Sequence, residues 1–458
     1  MRGVAVRVAV VALLLGACTS TAAEQVVEPT EPVSTSSSTT TSTSTSTTTT
    51  STTTTTTIPT YALSGRVLTG EGDRLGGAFV EVSGTRTTVG PDGWFLVAEV
   101  QAGEVTISRP GWHSVTVPWD GDAAPLEVTL EPVRVRALRV SAYVAQDADR
   151  FAALLDLADR SVVNALVFDT KQEGGTVLYE TSVEEAEAID AVRVSYDPVA
   201  HLAAAKELGL YTITRVVTFE DGIRARARPE LKLAGEWVDP RDPRSWEYPL
   251  ALAEEACTLG FDEIQFDYVR FPTGSAAVAS RDLPQAERVE TIRTFLEAAR
   301  ALLHPMGCAV SADIFGIVVS TPDDQGIGQI PEEVSTAVDA VSPMVYPSHY
   351  SLGWLGFADP NDHPYAVTAD AVDDGTPRLA HPAVMRPWLQ AFWWTDAEIK
   401  ESIRAAEERG AGWMLWNAAG NYGEAALPTA DELEQWAPVP PEPAPTSTST
   451  TTTTTEAP

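Results

Sequence analysis

"FDEIQFDYVRFP", residues 261–272, alternates like a buried strand but puts polar groups where a second apolar face would be. By the two-residue period of a strand, Ile264, Phe266 and Tyr268 share one face and Gln265 and Asp267 the other, and an aromatic-proline turn follows at once. A core strand with a carboxylate on its second face needs a polar interior for that face.

Working outward, the chain from Val133 to about Trp436 alternates strand-like and helix-like segments. Eight strand candidates occur in order: 138–144 (LRVSAYV), 164–169 (NALVFD), 211–217 (YTITRVV), 263–268 (EIQFDY), 309–315 (AVSADIF), 340–346 (AVSPMVY), 385–392 (MRPWLQAF) and 412–418 (GWMLWNA). Between most of them lie stretches such as "DRFAALLDLADR", "DPVAHLAAAKELG" and "QAERVETIRTFLEAARALLH", with apolar residues three and four apart, often after a capping Asp or Thr. Eight such units predict an α/β fold, a (β/α)8 TIM barrel over 133–437. A doubly wound open sheet is the alternative, but no Gly-rich nucleotide turn follows an early strand.

In such a barrel the chemistry belongs to the C-terminal ends of the strands. Asp267 ends the fourth strand facing inward beside Gln265. Ser311 and Asp313 face inward on the fifth, with Val310, Ala312 and Ile314 toward the helices. Asp169 ends the second strand on the parity of Ala165 and Val167, just before Lys171 and Glu173, and Ser342, Met344 and Tyr346 face inward on the sixth. Adjacent strands place the Asp267 and Asp313 carboxylates roughly 5 to 7 Å apart, overlapping the spacing of a retaining glycosidase pair, about 5 to 5.5 Å, and the lower end of the inverting range. Asp267 is the expected nucleophile or base and Asp313 the expected acid, its pKa raised by its neighbour; the roles are interchangeable at this level. A purely structural alternative pairs Asp267 with Arg270, or with Arg215 of the third strand, to hold the barrel mouth together. Arg215 and Arg270 are expected as positioning partners, and Glu220 and Asp221 as a solvated loop.

Aromatic residues crowd the later strand ends: Tyr346, His349, Tyr350, Trp388, Trp393, Trp394, Trp416 and Tyr422. Flat rings suit sugar faces and suit a core equally, so about half are expected in each role. Trp413, on the opposite parity to Trp416, is expected to face the helices. The predicted substrate-binding set is Asp169, Lys171, Glu173, Arg215, Gln265, Tyr268, Arg270, Tyr346, His349 and Trp416.

The 458 residues carry 31 Lys and Arg against 64 Asp and Glu, a net charge of -33. Such a field disfavours nucleic acid, although a solvated acidic surface is its main reading. The start, "MRGVAVRVAVVALLLGACTS", sets Arg2 and Arg7 before an apolar run too short to span a bilayer and reads as a secretory signal peptide, 1–18. Leu15-Gly16-Ala17-Cys18 resembles the lipobox of bacterial lipoproteins, which implies lipidation at Cys18 and an extracellular chain, anchored to the outer face of the cytoplasmic membrane or secreted. Cys257 and Cys308 remain, open between a disulfide and two buried thiols, with the thiols favoured.

Residues 19–60 are nearly all Ser and Thr toward their end, a disordered linker whose stretch from about Ala23 to Pro59 reaches on the order of 130 Å at about 3.5 Å per residue. The Thr- and Pro-rich tail, 438–458, reads likewise. Residues 61–132 show short alternating runs punctuated by Gly, Asp and Pro, which predict a small antiparallel β-sandwich. The order "SGRV", "GGAFVEVSG", "TTVGPDGWF", "AGEVTISRPGW" is similar to carboxypeptidase regulatory-like (transthyretin-like) domains. A spacer is preferred over a glycan-contacting module.

"GFDEIQFDYVRFP", with "WVDPRDPRSWEY", "TRVVTFED", "SADIFG" and "SPMVYPSHY", resembles the bacterial "putative glycosyl hydrolase" family long carried as a domain of unknown function. The resemblance covers about 300 residues and implies a glycosidase-type barrel without a settled substrate. The positions carried over are Asp267, Tyr268, Arg270, Asp313, Tyr346, Ser348 and His349. Two departures stand out. Gln172 follows Asp169-Thr170-Lys171 where the family tends to have an acid, and Val269 occupies the place of the catalytic Glu of the distantly similar chitinase signature.

These readings predict a cell-surface glycoside hydrolase acting on a polysaccharide or oligosaccharide, with no cofactor and no metal. A catalytically silent glycan-binding lipoprotein is the alternative. A metal-dependent hydrolase ranks third, because the six histidines are scattered. The sugar, the linkage and the oligomeric state are left open.

Overall fold

The computed structural model describes residues 58–438. The leader with Cys18, the Ser/Thr stretch through residue 57 and the tail from 439 lie outside the described residues.

Seven strands form two sheets packed on each other: β1 (Tyr61–Thr69), β2 (Phe79–Val82), β3 (Thr85–Thr88), β4 (Trp94–Val100), β5 (Gly103–Ser108), β6 (Val115–Trp119) and β7 (Leu126–Leu130). One sheet runs β4-β1-β7 and the other β3-β2-β5-β6. Alternate residues, among them Leu63, Val67, Val80, Val82, Val105 and Ile107, fill the space between them. The expectation of a purely antiparallel sandwich is corrected at one edge, where β1 and β7 pair in parallel. Strands at opposite ends of the segment are not bound by a hairpin to run antiparallel.

Next come β8 (Arg136–Arg139), β9 (Ala165–Lys171), β10 (Tyr211–Val217), a small hairpin of β11 (Lys232–Ala234) and β12 (Trp237–Val238), β13 (Glu263–Asp267), β14 (Ala309–Phe315), β15 (Ala340–Val345), β16 (Val384–Met385), β17 (Trp388–Gln390) and β18 (Trp413–Trp416). Apart from the hairpin these pair in parallel, and β18–β8 and β14–β15 close the ring into the expected (β/α)8 barrel. The seventh stave is split into β16 and β17 at Arg386–Pro387, where proline has no N–H for the ladder. The first strand was expected over 138–144. It ends at Arg139, and Ala142–Ala145 form a helical turn instead, since a short apolar run does not distinguish strand from helix.

Ile264, Phe266, Val310, Ala312, Ile314 and Trp413 face the helices, as the alternation predicts. Inside the barrel, Ala137, Ala165, Val167, Ile213 and Met414 form an apolar layer. Next to Ile213 in the strand register, Glu263 accepts from Arg386, Ser311 and, at 3.1 Å, Tyr211. Pairing the Glu263 carboxylate with Arg386 and these hydroxyls is what makes its burial tolerable.

Cys257 and Cys308 form a disulfide rather than two free thiols, joining the end of helix Arg244–Leu259 to the start of β14. The sandwich meets the N-terminal ends of the staves. Arg109 is sealed from solvent there with its Nη2 3.1 Å from Asp339 Oδ1, immediately before β15.

Candidate active site

The C-terminal ends of the staves surround a cavity of about 540 Å³, within the range of small-molecule sites. Its walls include Glu173, Arg215, Asp267, Tyr268, Arg270, Phe315, Ile317, Met344, Tyr346, His349, Tyr350, Trp354 and Trp416.

Arg215, fully buried on β10, organises the floor. Its Nε donates to Asp267 Oδ2 at 2.8 Å and its Nη1 to Asp169 Oδ1 at 3.1 Å, while Nη2 bonds Glu173 and lies 2.7 Å from Asp267 Oδ2. Burial alone would weaken the guanidinium charge, but the three carboxylates outweigh it and keep the charge in place. One Arg215 nitrogen, Nη2, serves both Glu173 and Asp267, so the two carboxylates are close neighbours at the cavity floor.

Asp267 Oδ1 also takes the backbone N–H of Tyr268 at 2.6 Å. The strand stops there. Tyr268 has φ +49°, a left-handed conformation that costs an L-residue about 1–2 kcal/mol. The alternation that would send Tyr268 toward the helices therefore ends, and its ring lines the cavity.

Asp313, beside Asp267 on the neighbouring stave, is only 1 % exposed and lies outside the cavity wall. Arg215 Nε is 4.0 Å from its Oδ2, so the Asp267 and Asp313 oxygens that flank this nitrogen are no more than about 7 Å apart, in line with the strand spacing. Trp388 Nε1 donates to Oδ1 at 2.8 Å, and Oδ2 has no hydrogen-bond partner among the described residues. Burial, then the Asp267 charge, push Asp313 well above the usual carboxylate range and favour its neutral form. Glu173 is the opposite case. Burial acts to raise it, but the Arg215 charge and hydrogen bond prevail and hold it at about 2.

The turn that carries Glu173 is built for its position. Gly174 and Gly175 have φ +79° and +101°, and a Cβ at Gly175 would lie 2.1 Å from Asp221 Oδ1. Gly174 N–H donates to Glu220 Oε2 at 3.1 Å.

Of the predicted substrate-binding residues, Glu173, Arg215, Tyr268, Arg270, Tyr346, His349 and Trp416 line the cavity, and three do not. Lys171 is sealed beneath the Glu173 turn, its Nζ 2.6 Å from Asp221 Oδ2; it is a support, and Asp221 is a buried partner rather than a solvated loop residue. Asp169 spends both oxygens on Arg139 and Arg215. Gln265 points into the barrel but lies too deep, donating toward Ser342 Oγ at 3.4 Å and Met414 Sδ at 3.6 Å. Arg270 makes no ion pair with Asp267. Its guanidinium packs 4.4 Å from the Phe315 ring centre and 4.7 Å from that of Trp237.

The aromatic residues divide between core and cavity. Trp388 is core, whereas Trp416 forms cavity wall and stacks 4.1 Å from the Arg139 guanidinium. Phe315, Ile317 and Trp354 were not singled out from the sequence. Phe315 ends the fifth stave and Ile317 and Trp354 follow the fifth and sixth, so the rule that strand ends and post-strand loops build the site was the available signal. Tyr350 Oη and Trp354 Nε1, both on this wall, are buried without a hydrogen-bond partner among the described residues. Among the described residues no group of three or more His, Cys, Asp or Glu is arranged to hold a metal ion.

Solved structures with similarity to the chain include a hypothetical protein from Ruminiclostridium thermocellum ATCC 27405, 31 % identical over 38 % of this chain and 96 % of that one, with a TM-score of 0.34. The glycoside hydrolase domain of PgaB (BpsB) from Bordetella bronchiseptica is 14 % identical over 64 % of this chain and 96 % of that one, TM-score 0.48. The glycoside hydrolase domain of PelA from Pseudomonas aeruginosa is 11 % identical over 64 % and 98 %, TM-score 0.39. No curated protein matches the chain. Residues 137–422, more than half of the sequence, match the profile of the family described as "Putative glycosyl hydrolase domain", and the chain belongs to that family.

Proposed function

We propose that the protein is a cell-surface glycoside hydrolase that cleaves a glycosidic bond within a polysaccharide by a two-carboxylate mechanism, with Asp267 as nucleophile or base and Asp313 as the source of the proton. The observation that carries this reading is the floor of the cavity, where an Arg215-held carboxylate faces the opening and a second carboxyl, favoured in its neutral form, adjoins it on the neighbouring stave. Asp267 would attack or stabilise the developing oxocarbenium ion. Aromatic walls and the unpartnered Tyr350 and Trp354 donors suit the faces and hydroxyls of a sugar.

One observation favours a second partner for Asp267. Glu173 is 40 % exposed in its side chain and meets the cavity directly, whereas Asp313 is covered. If a bound sugar displaces Glu173 from Arg215, the ion pair that depresses its pKa is lost and Glu173 becomes the acid. Screening soluble polysaccharides with the wild type, E173Q and D313N separates the two. The variant that loses turnover while keeping its fold identifies the partner, and binding without turnover in the wild type supports the silent glycan-binding alternative.

Surface location rests on the leader with its lipobox, and the Cys257–Cys308 disulfide suits an oxidising compartment. The sandwich, docked at the end of the barrel opposite the cavity, fits a spacer between anchor and enzyme. Globomycin-sensitive processing and loss of membrane association in Cys18→Ala test the anchor.

A further inference from the structure

Trp393 is the most exposed large apolar side chain among the described residues, at 81 %. Its backbone φ is +61°, a left-handed conformation that only glycine adopts without strain. Exposure of one indole is ordinary in itself. The combination of a solvent-facing indole with a strained backbone that the surroundings enforce is not.

Those surroundings are rigid. Trp394 Nε1 donates to Asn361 O at 3.1 Å, and Gln390 Nε2 donates to Asn361 Oδ1 at 3.0 Å. Asn417 Nδ2 donates to Ala391 O at 2.6 Å. The turn is therefore pinned on both sides of Trp393, and the indole is held outward by its neighbours. The ring also continues a track that begins in the cavity. It meets Phe392 edge-on with centroids 5.1 Å apart, and Phe392 in turn lies 5.7 Å from Tyr346 and 6.1 Å from His349, both cavity residues.

We infer that Trp393 is the platform of a second carbohydrate subsite at the rim, on which a pyranose unit of the same chain stacks while another unit occupies the cavity. The inference rests on the glycoside hydrolase reading and extends it to substrate class: a polymer or long oligosaccharide, not a short terminal glycoside. A ring whose backbone is set before the ligand arrives leaves only side-chain ordering to offset when it stacks on a sugar face.

The test uses the full chain with W393A and W393F. Binding is measured by affinity electrophoresis in an α-1,4-glucan, a β-1,4-glucan, glycol chitin and a galactan, and turnover on the same polymers and on 4-nitrophenyl glycosides of the same sugars. For the polymer that the wild type recognises, W393A is expected to bind about tenfold more weakly with kcat/KM falling in parallel, W393F to recover most of this, and 4-nitrophenyl glycoside turnover to stay unchanged. Equal polymer binding by W393A and wild type overturns the rim subsite while leaving the hydrolase reading intact. An equal loss on polymer and small glycoside also overturns it, because position 393 would then act on the cavity. Binding without hydrolysis, still weakened by W393A, supports the subsite while refuting the hydrolase reading, and a wild type that neither binds nor cleaves refutes both.

Discussion

The indole N–H of Trp388 donates to Asp313 Oδ1 at 2.8 Å, and among the described residues this is the one hydrogen bond to a side-chain oxygen of Asp313. A carboxyl with so little support, buried next to Asp267, is more stable with its proton than without it. The folded protein thus binds this proton more tightly than the unfolded chain does. Its contribution to stability is fully present below the ordinary Asp pKa and is lost as pH rises toward the elevated folded value. Asn at 313 cannot ionise and lacks this dependence. D313N is expected to gain thermal stability relative to the wild type as pH is raised from about 4 to 8, as read by calorimetry. A gap independent of pH would mean that Asp313 is not shifted upward.

Asp267 stands between the cavity and Arg215, and Asn preserves its shape without its charge. Turnover by D267N is expected to fall by about 10²–10⁴-fold, the typical contribution of a positioned acid or base, while polymer affinity changes by less than about threefold. Comparing single-turnover rates with equilibrium binding checks this, and hydrolysis at the wild-type rate would remove Asp267 from the chemistry.

Arg215 compensates three carboxylates at once, two of them sealed from solvent. R215M is expected to lose about 3–5 kcal/mol, the usual consequence of stranding a buried charge, with R215K intermediate because a point charge cannot serve three partners of a fork. Urea unfolding at neutral pH supplies the measurement. A change under 1 kcal/mol would show that the carboxylates do not depend on this residue.

Arg109 and Asp339 join sandwich and barrel. Burial acts to raise Asp339, but the His304 hydrogen bond and the Arg109 charge prevail and hold it at about 2. A depressed carboxylate stabilises the fold above its unfolded pKa and loses that contribution as pH falls through the folded value. R109M is therefore expected to melt below the wild type at pH 7, with the gap narrowing as pH drops from about 4 to about 2. A gap that widens on acidification would contradict this electrostatic role.

The alternation of residues along the chain was enough to determine the number of staves and the direction of Gln265, Asp267, Ser311, Asp313, Ser342 and Met344, because a strand's period of two depends only on local backbone geometry. It was equally enough for the opposite facing of Ile264, Phe266 and Trp413. Depth was not legible. Gln265 and Asp267 share a parity, yet only Asp267 reaches the cavity, since position along the barrel axis depends on stagger between strands distant in sequence. The closed structure alone decided that Arg215 gathers Asp169, Glu173 and Asp267, that Lys171 turns down to Asp221, that Tyr268 turns into the cavity, and that Cys257 meets Cys308. Each depends on which non-local groups compete for a buried charge, a thiol or a strained turn, and such competition arises only once the barrel has brought them together.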